Sequence, residues 1–316
     1  MKASKFLHGF TVDKIALPGV EINYASAGNG PAILLLHGHP QTHIVWRKVA
    51  PLIVKAGYRV IAPDLRGYGD SEKPKSDINH YPYSKRVMAE DQINLMAKLG
   101  YEHFSVVGHD RGGRVAHRMA RDFPNIVERL AVLDIAPTDI MYAQTNKEFA
   151  TRYFWWFFLI QPYDFPERMI ASDPEYFLRR HIASQVKIEG AVSNEAISEY
   201  LRTYNNPNTI HAICEDYRAS AGIDLEHDKL DQGRLIEVPL LVIWGAMSVV
   251  GDLYDVEATW QEKAKNVSGF ALPCGHAIPE EAPDQLISKL LTLKKNWLAA
   301  IAAPRLFRHH AIFPIE

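Results

Sequence analysis

Val106-Val107-Gly108-His109-Asp110-Arg111-Gly112-Gly113-Arg114 is the stretch whose reading decides the fold. The apolar run from Phe104 to Val107 reads as a buried strand, the chain turns at Asp110, and Gly112-Gly113 opens a helix to about Asp122. This is the pattern of a nucleophile elbow, Gly-x-Ser-x-Gly, with Asp110 where the serine would stand. So sharp a turn tolerates little bulk beside its apex, which accounts for Gly108 and Gly112. Taken alone, the pentapeptide fits an ordinary strand–turn–helix unit with an Asp N-cap equally well.

The flanking sequence repeats the same rhythm. Upstream, residues 10–25 alternate as two strands around Pro18-Gly19, and Ile33 to Leu36 is a buried strand ending in His37-Gly38-His39-Pro40. A helix over about Gln41 to Ala56, a strand from Tyr58 to Pro63, the loop Asp64 to Ser71 and a helix from about Tyr83 to Leu99 lead to the elbow. Downstream, Leu130 to Asp134 is another buried strand with an acid at its end. Short apolar runs alternating with helices predict an α/β fold, a mostly parallel, doubly wound sheet. The rhythm changes near Thr138. Residues 138–236 read as aromatic-rich helices and loops, and strands return at Pro239 to Trp244 and Gly269 to Leu272, before a last helix over about Pro279 to Ala299. The expected organisation is a core of residues 1–137 and 237–300, a helical insertion at 138–236, and a C-terminal tail at 301–316.

The chain of 316 residues suits one large α/β domain with such an insertion. A formal net charge of -2 without any long Lys/Arg run argues against nucleic acid or an anionic membrane as a general partner. The N-terminus, Met1 to Phe10, has no apolar core of a secretory signal, and the aromatic stretch Tyr153 to Ile160 is too short to span a bilayer. Cys214 and Cys274 form neither a disulfide framework nor zinc-type spacing, so a reducing cytoplasm is the expected location and no metal is expected. The expected partner is a small-molecule substrate, with a homodimer left open.

Ligands of open α/β sheets bind at the carboxyl ends of the strands. His39, Asp110, Asp134 and His276 all follow strands there, as do Asp252 and Asp255 after Trp244-Gly245. Nucleophile, acid, histidine is the chain order of a hydrolytic triad on such a sheet. For the acid, Asp134 and Asp255 (or Asp252) are both open on position alone.

These motifs carry a resemblance. His37-Gly38-His39-Pro40-Gln41, Asp64-Leu65-Arg66-Gly67-Tyr68-Gly69-Asp70-Ser71, Gly108 to Arg114, Asp134-Ile135-Ala136-Pro137-Thr138, Trp156-Phe157-Phe158-Leu159, Asp216-Tyr217-Arg218-Ala219 and Pro273-Cys274-Gly275-His276 resemble α/β-hydrolases of the epoxide hydrolase and dehalogenase branch. The whole chain is most similar there to haloacetate (fluoroacetate) dehalogenases. The resemblance implies an α/β-hydrolase fold with residues 138–236 as a cap, no cofactor, and hydrolytic dehalogenation of small 2-haloacids. It makes Asp110 the nucleophile and His276 the base, and it favours Asp134 as the acid. It makes Trp156 and Tyr217 halide ligands, with Trp155 standing where these enzymes usually carry a third donor, His. His39 likewise stands where Phe is usual. These departures predict a preference for chloro- or bromoacetate over fluoroacetate.

Physical chemistry supports the same reading. A carboxylate attacking an ester carbonyl yields a mixed anhydride, whereas attack on a saturated carbon bearing a leaving group yields a stable alkyl ester. Water must then attack the carbonyl of Asp110, and backbone N–H groups of His39 and Arg111 are positioned for the resulting oxyanion. Arg111 and Arg114 lie in the first helical turn, where cations oppose the macrodipole. They are misplaced unless an anion sits between them, and a substrate carboxylate is the expected anion. The alternatives are an epoxide hydrolase using Tyr217 and Tyr153 as acids, and a non-catalytic receptor on the same scaffold.

Overall fold

The structure is a computed structural model that describes residues 2–292. Nine strands form one sheet in the order β1-β2-β3-β5-β4-β6-β7-β8-β9. They are β1 (Lys2–Ala3), β2 (Thr11–Leu17), β3 (Val20–Ala27), β4 (Ala32–Leu36), β5 (Arg59–Pro63), β6 (Phe104–His109), β7 (Val127–Leu133), β8 (Leu240–Gly245) and β9 (Val267–Leu272). The first three pair antiparallel at one edge, and β5, β4, β6, β7, β8 and β9 run parallel. β4 and β6 are buried at every residue, because helices cover both faces of the sheet. The core helices are α1 (Ala50–Lys55), α2 (Lys85–Lys98) and α3 (Arg111–Asp122).

Between β7 and β8 the chain is helical: α4 (Thr138–Ala143), α5 (Lys147–Arg152), α6 (Trp155–Phe158), α7 (Phe165–Ser172), α8 (Pro174–Gln185), α9 (Asn194–Tyr204), α10 (Pro207–Ala221) and α11 (Ile223–Leu230). The last part of the described chain adds α12 (Val249–Leu253), α13 (Val256–Gln261), α14 (Ile278–Glu281) and α15 (Pro283–Thr292).

Two expected helices are broken, each by proline. The stretch from Gln41 to Ala56 divides into a 3₁₀ turn at His43–Lys48 and α1, with Pro51 in the first turn of α1. A proline further inside one continuous helix would remove a hydrogen bond and clash with the preceding turn. The expected C-terminal helix likewise splits into α14 and α15 at Pro283. Its remainder beyond Thr292 and the tail at 301–316 lie outside the described residues.

What the fold does for function is set by register. Leu36 pairs with Gly108, His109 with Leu133, Leu133 with Ile243, and Gly245 with Leu272. The carboxyl ends of five strands therefore stand side by side. The chain leaves β4 to one side for β5 and returns to its other side at β6, so the crevice between them is the topological switch point of the sheet. Close packing there demands glycine. A Cβ at Gly108 would lie 2.4 Å from the Gly112 carbonyl oxygen, and one at Gly112 would lie 2.4 Å from the His37 carbonyl oxygen. Backbone cannot yield as a flexible side chain can, so Gly108→Ala is expected to cost about 1–3 kcal/mol of stability. Urea unfolding of the variant against wild type measures the loss.

Candidate active site

Asp110 sits between β6 and α3 with φ 48° and ψ -117°, a backbone conformation that a non-glycine residue adopts only when its surroundings enforce it. Its N–H donates to the Leu133 carbonyl at 3.2 Å, and its own carbonyl accepts from Gly113 N at 3.0 Å and Arg114 N at 3.2 Å. Strand and helix thus clamp the turn from both sides. The two carboxylate oxygens are not equivalent. Oδ1 accepts from the His39 backbone N–H at 2.9 Å, whereas Oδ2 faces His276 Nε2 at 3.8 Å, beyond hydrogen-bond range. The Arg111 N–H, first in α3, has no partner within the helix. Burial pushes the Asp110 carboxyl up, but His276, Arg111 and Arg114 outweigh it and hold the carboxyl well below the usual range.

His276 Nδ1 lies 2.6 Å from Asp134 Oδ2. Asp134 also has a left-handed backbone, φ 52°, and its Oδ1 accepts from Gly245 N at 2.9 Å and Ser248 Oγ at 2.7 Å. These bonds aim Oδ2 at the imidazole and fix the Nδ1–H tautomer. Burial lowers the His276 pKa, but the bond and charge of Asp134 outweigh it and raise the value above its ordinary 6.5. Nε2 is buried without a hydrogen-bond partner among the described residues. Asp255 instead caps α13 through Ala258 N at 3.1 Å, and Asp252 pairs with Arg152 at 2.7 Å on the surface. Of the three acids left open by position, the structure brings only Asp134 to the imidazole. Sequence reasoning missed His109, whose Nε2 lies 2.8 Å from the His276 carbonyl and fixes the loop carrying the base.

Sequence reasoning also missed Asp216, although it stands beside Tyr217 in the quoted Asp216-Tyr217-Arg218-Ala219 motif. Asp216 is wholly buried on α10 and accepts from Arg111 Nε and Nη2, both at 2.8 Å, from Tyr68 Oη at 2.6 Å and from Lys85 Nζ. The anion expected beside Arg111 is therefore supplied, at least in part, by the protein itself. Among the described residues, Nη1 of Arg111 alone of its three nitrogens is buried and unpartnered. Arg114 donates through Nη1 to the Ala136 carbonyl at 3.1 Å and Thr138 Oγ1 at 2.8 Å, while its Nε is buried and unpartnered. No carboxylate among the described residues forms an ion pair with Arg114, and burial together with the Arg111 charge lowers its pKa. Two orphaned guanidinium donors thus stand one and four residues beyond Asp110. A fork of two bonds from one Arg is ruled out for Arg111 by its bonds to Asp216, so an anion here must span the two side chains.

The helical segment adds an aromatic wall. Arg111 stacks on the Tyr217 ring at 4.2 Å and Arg114 on the Trp156 ring at 4.7 Å. Tyr153 and Trp155 are buried beside them, 4.7 Å apart. Burial and the Asp110 charge push the Tyr217 hydroxyl well above its ordinary value, and burial with Asp134 does the same to Tyr153. Both phenols are protonated donors at neutral pH. Trp155 packs edge-on against His181 at 4.6 Å, and His181 packs on His39 at 4.5 Å. Imidazoles absent from position 155 are thus present nearby, on α8 and on the loop after β4.

One group of metal-type ligands was found among the described residues, Glu167, His211 and Glu215. Arg218 Nη1 already bridges both acids at 2.7 Å, which places a protein cation between the carboxylates.

Comparison with known proteins accords with this geometry. The family described as alpha/beta hydrolase fold matches residues 31–283, and the chain belongs to it. It is a hydrolase of that family, similar to fluoroacetate dehalogenase and to epoxide hydrolases. The fluoroacetate dehalogenase of Burkholderia sp is 41% identical over 278 residues, covering 87% of this chain and 91% of the relative. The soluble epoxide hydrolase of Corynebacterium sp. (strain C12) is 36% identical, covering 86% and 93%. A solved Salmonella enterica structure, provisionally termed an acyltransferase, superimposes with a TM-score of 0.92 at 56% identity, covering 93% of this chain and 98% of that one. No helix among the described residues is long and apolar enough to cross a membrane.

The His276 environment makes a direct prediction. Asp134→Asn leaves burial as the dominant influence, so the His276 pKa is expected to fall below 6.5. Asp255→Asn is expected to leave it in place. Imidazole proton NMR titration of the two variants measures both.

Proposed function

We propose that the protein hydrolyses small 2-haloacids to 2-hydroxyacids and halide through an alkyl ester on Asp110. The observation that carries this reading is the pair of buried donors without partners, Arg111 Nη1 and Arg114 Nε, beside the candidate nucleophile. Buried donors without acceptors are costly, and a substrate carboxylate bridging the two guanidinium groups relieves that cost. Such a bridge sets the carbon next to the carboxylate at the carboxylate of Asp110.

Asp110 Oδ2, free of hydrogen bonds to the protein, attacks that carbon as the carbon–halogen bond breaks and the halide leaves with the bonding pair. Tyr217, Trp155 and Trp156 offer neutral donors to the departing halide. Water then bonds to His276 Nε2, which has no hydrogen-bond partner among the described residues, and approaches the ester from there. His276 takes a proton as the water oxygen bonds to Cγ, and the oxyanion gathers on Oδ1, already bonded to the His39 N–H. Collapse breaks the Cγ–Oδ2 bond, His276 passes its proton to the departing alkoxide oxygen, and the hydroxyacid leaves as the new Asp110 carboxyl loses its remaining proton to solvent. Asp134 keeps the imidazole oriented and stabilises its charged form. Acyl transfer fits less well, because an Asp nucleophile would form a mixed anhydride.

The buried, protonated Tyr153 and Tyr217 also support a second reading, epoxide opening on the same Asp. The unpartnered Nε of Arg114 disfavours it, since a neutral epoxide brings no anion to that donor.

Chloroacetate is expected to release halide with wild type but not with Asp110→Asn. His276→Ala should release one halide per site and stop, with the alkyl adduct visible by intact-protein mass spectrometry; absence of both burst and adduct overturns the covalent reading. Styrene oxide is the epoxide control. Arg114→Ala should lower kcat/KM on haloacetates about tenfold to a hundredfold, with a smaller loss on haloacetamide. Because hydrolysis needs neutral His276, the single-turnover hydrolytic rate should rise with pH through a pKa above 6.5.

A further inference from the structure

We infer that His39 orients Tyr217 as a hydrogen-bond donor toward the leaving group, in a hydrogen-bond relay that begins at Tyr204. The inference rests on the haloacid reading for its kinetics but not for its geometry. His39 reaches the site from the loop after β4, and its ring stands between two phenols. Nε2 lies 3.3 Å from Tyr204 Oη and Nδ1 lies 3.5 Å from Tyr217 Oη. Tyr204 is buried at the end of α9, and among the described residues its hydroxyl has no other hydrogen-bond partner. A buried hydroxyl proton without an acceptor is costly. The Tyr217 hydroxyl has the negative charge of Asp110 nearby to attract its proton, whereas Tyr204 has no carboxylate beside it among the described residues, so Tyr204 donates to Nε2. A neutral imidazole carries one N–H, which Tyr204 thereby assigns to Nδ1. Nδ1–H in turn donates to the Tyr217 oxygen, and the Tyr217 proton must point away from His39.

Two features hold this order. Burial lowers the His39 pKa to about 4, so the ring is neutral across the physiological range. The His181 ring packs on it at a centroid distance of 4.5 Å, and the Tyr217 ring meets it edge-on at 5.6 Å. The reverse order, with Tyr217 donating to Nδ1, would leave the Tyr204 proton unsatisfied and remove the Tyr217 donor from the leaving group. His39 is therefore a positioning residue that acts through Tyr217, and a phenylalanine at this place could not do so.

Long-range proton–nitrogen NMR of the nitrogen-labelled protein reads the tautomer without any substrate, with His39→Phe assigning the signals. The expected result is a protonated Nδ1 in wild type and a shift toward protonated Nε2 in Tyr204→Phe; a protonated Nε2 in wild type overturns the relay, whether or not haloacids are turned over. In single turnovers, His39→Phe and Tyr204→Phe should each lower the chloroacetate-to-bromoacetate rate ratio about fivefold, because chloride depends more on a donor. In a Tyr217→Phe background neither should change that ratio further. Equal losses on both halides, or an undiminished effect in that background, would also refute it. Absence of halide release with a protonated Nδ1 would sink the haloacid reading and leave the relay standing.

Discussion

The interaction on which the site depends is the buried clamp between Arg111 and Asp216. Arg111 belongs to the first turn of the helix after the elbow, and Asp216 belongs to the helical segment inserted between β7 and β8. Their bidentate contact, reinforced by Tyr68 and Lys85, fastens α10 to the core within reach of the candidate nucleophile. Asp224, 3.4 Å from Lys85 Nζ, completes a cluster of two cations and two anions. Breaking one member would leave a buried charge uncompensated, which typically costs about 3–5 kcal/mol. The clamp also delivers Tyr217, the residue after Asp216, to the face of Arg111.

Electrostatics around Asp110 follow from that balance. With Arg111 and Lys85 offset by Asp216 and Asp224, Arg114 is the cation left over. Burial keeps His39 and His109 neutral, with pKa values lowered to about 4 and about 3. They therefore act as dipoles that direct hydrogen bonds, one toward Tyr217 and one to the His276 carbonyl. The raised pKa of His276 sets it apart from both, and the reason is its bond to Asp134.

Much of this was legible in the chain because the sheet imposes it. Buried parallel strands leave continuous apolar runs, and the glycines of the elbow record backbone contacts too close for a Cβ. Strand-end positions likewise marked Asp110, Asp134 and His276. The choice between Asp134 and Asp255 was not readable from position, since both follow strands in adjacent places; Gly245 and Ser248, from another strand and its loop, aim the former. Asp216 and His181 escaped for a similar reason. Each lies on a helix far along the chain from its partner, and helical periodicity marks a buried face without saying which polar group it meets. The divided helices at Pro51 and Pro283 are local features whose signal was present in the proline itself.

The inequivalence of the two Asp110 oxygens has an isotopic consequence. On the proposed chemistry, Oδ2 departs within the hydroxyacid, and the incoming water oxygen takes its place opposite His276. The His39 N–H holds Oδ1 throughout, so the carboxylate has little occasion to rotate. An enzyme cycled many times in heavy-oxygen water would then carry one heavy atom on this side chain rather than two. Its first product alone would contain an oxygen laid down when the protein was synthesised, and the oxygen held by the loop after β4 would stay for the life of the molecule.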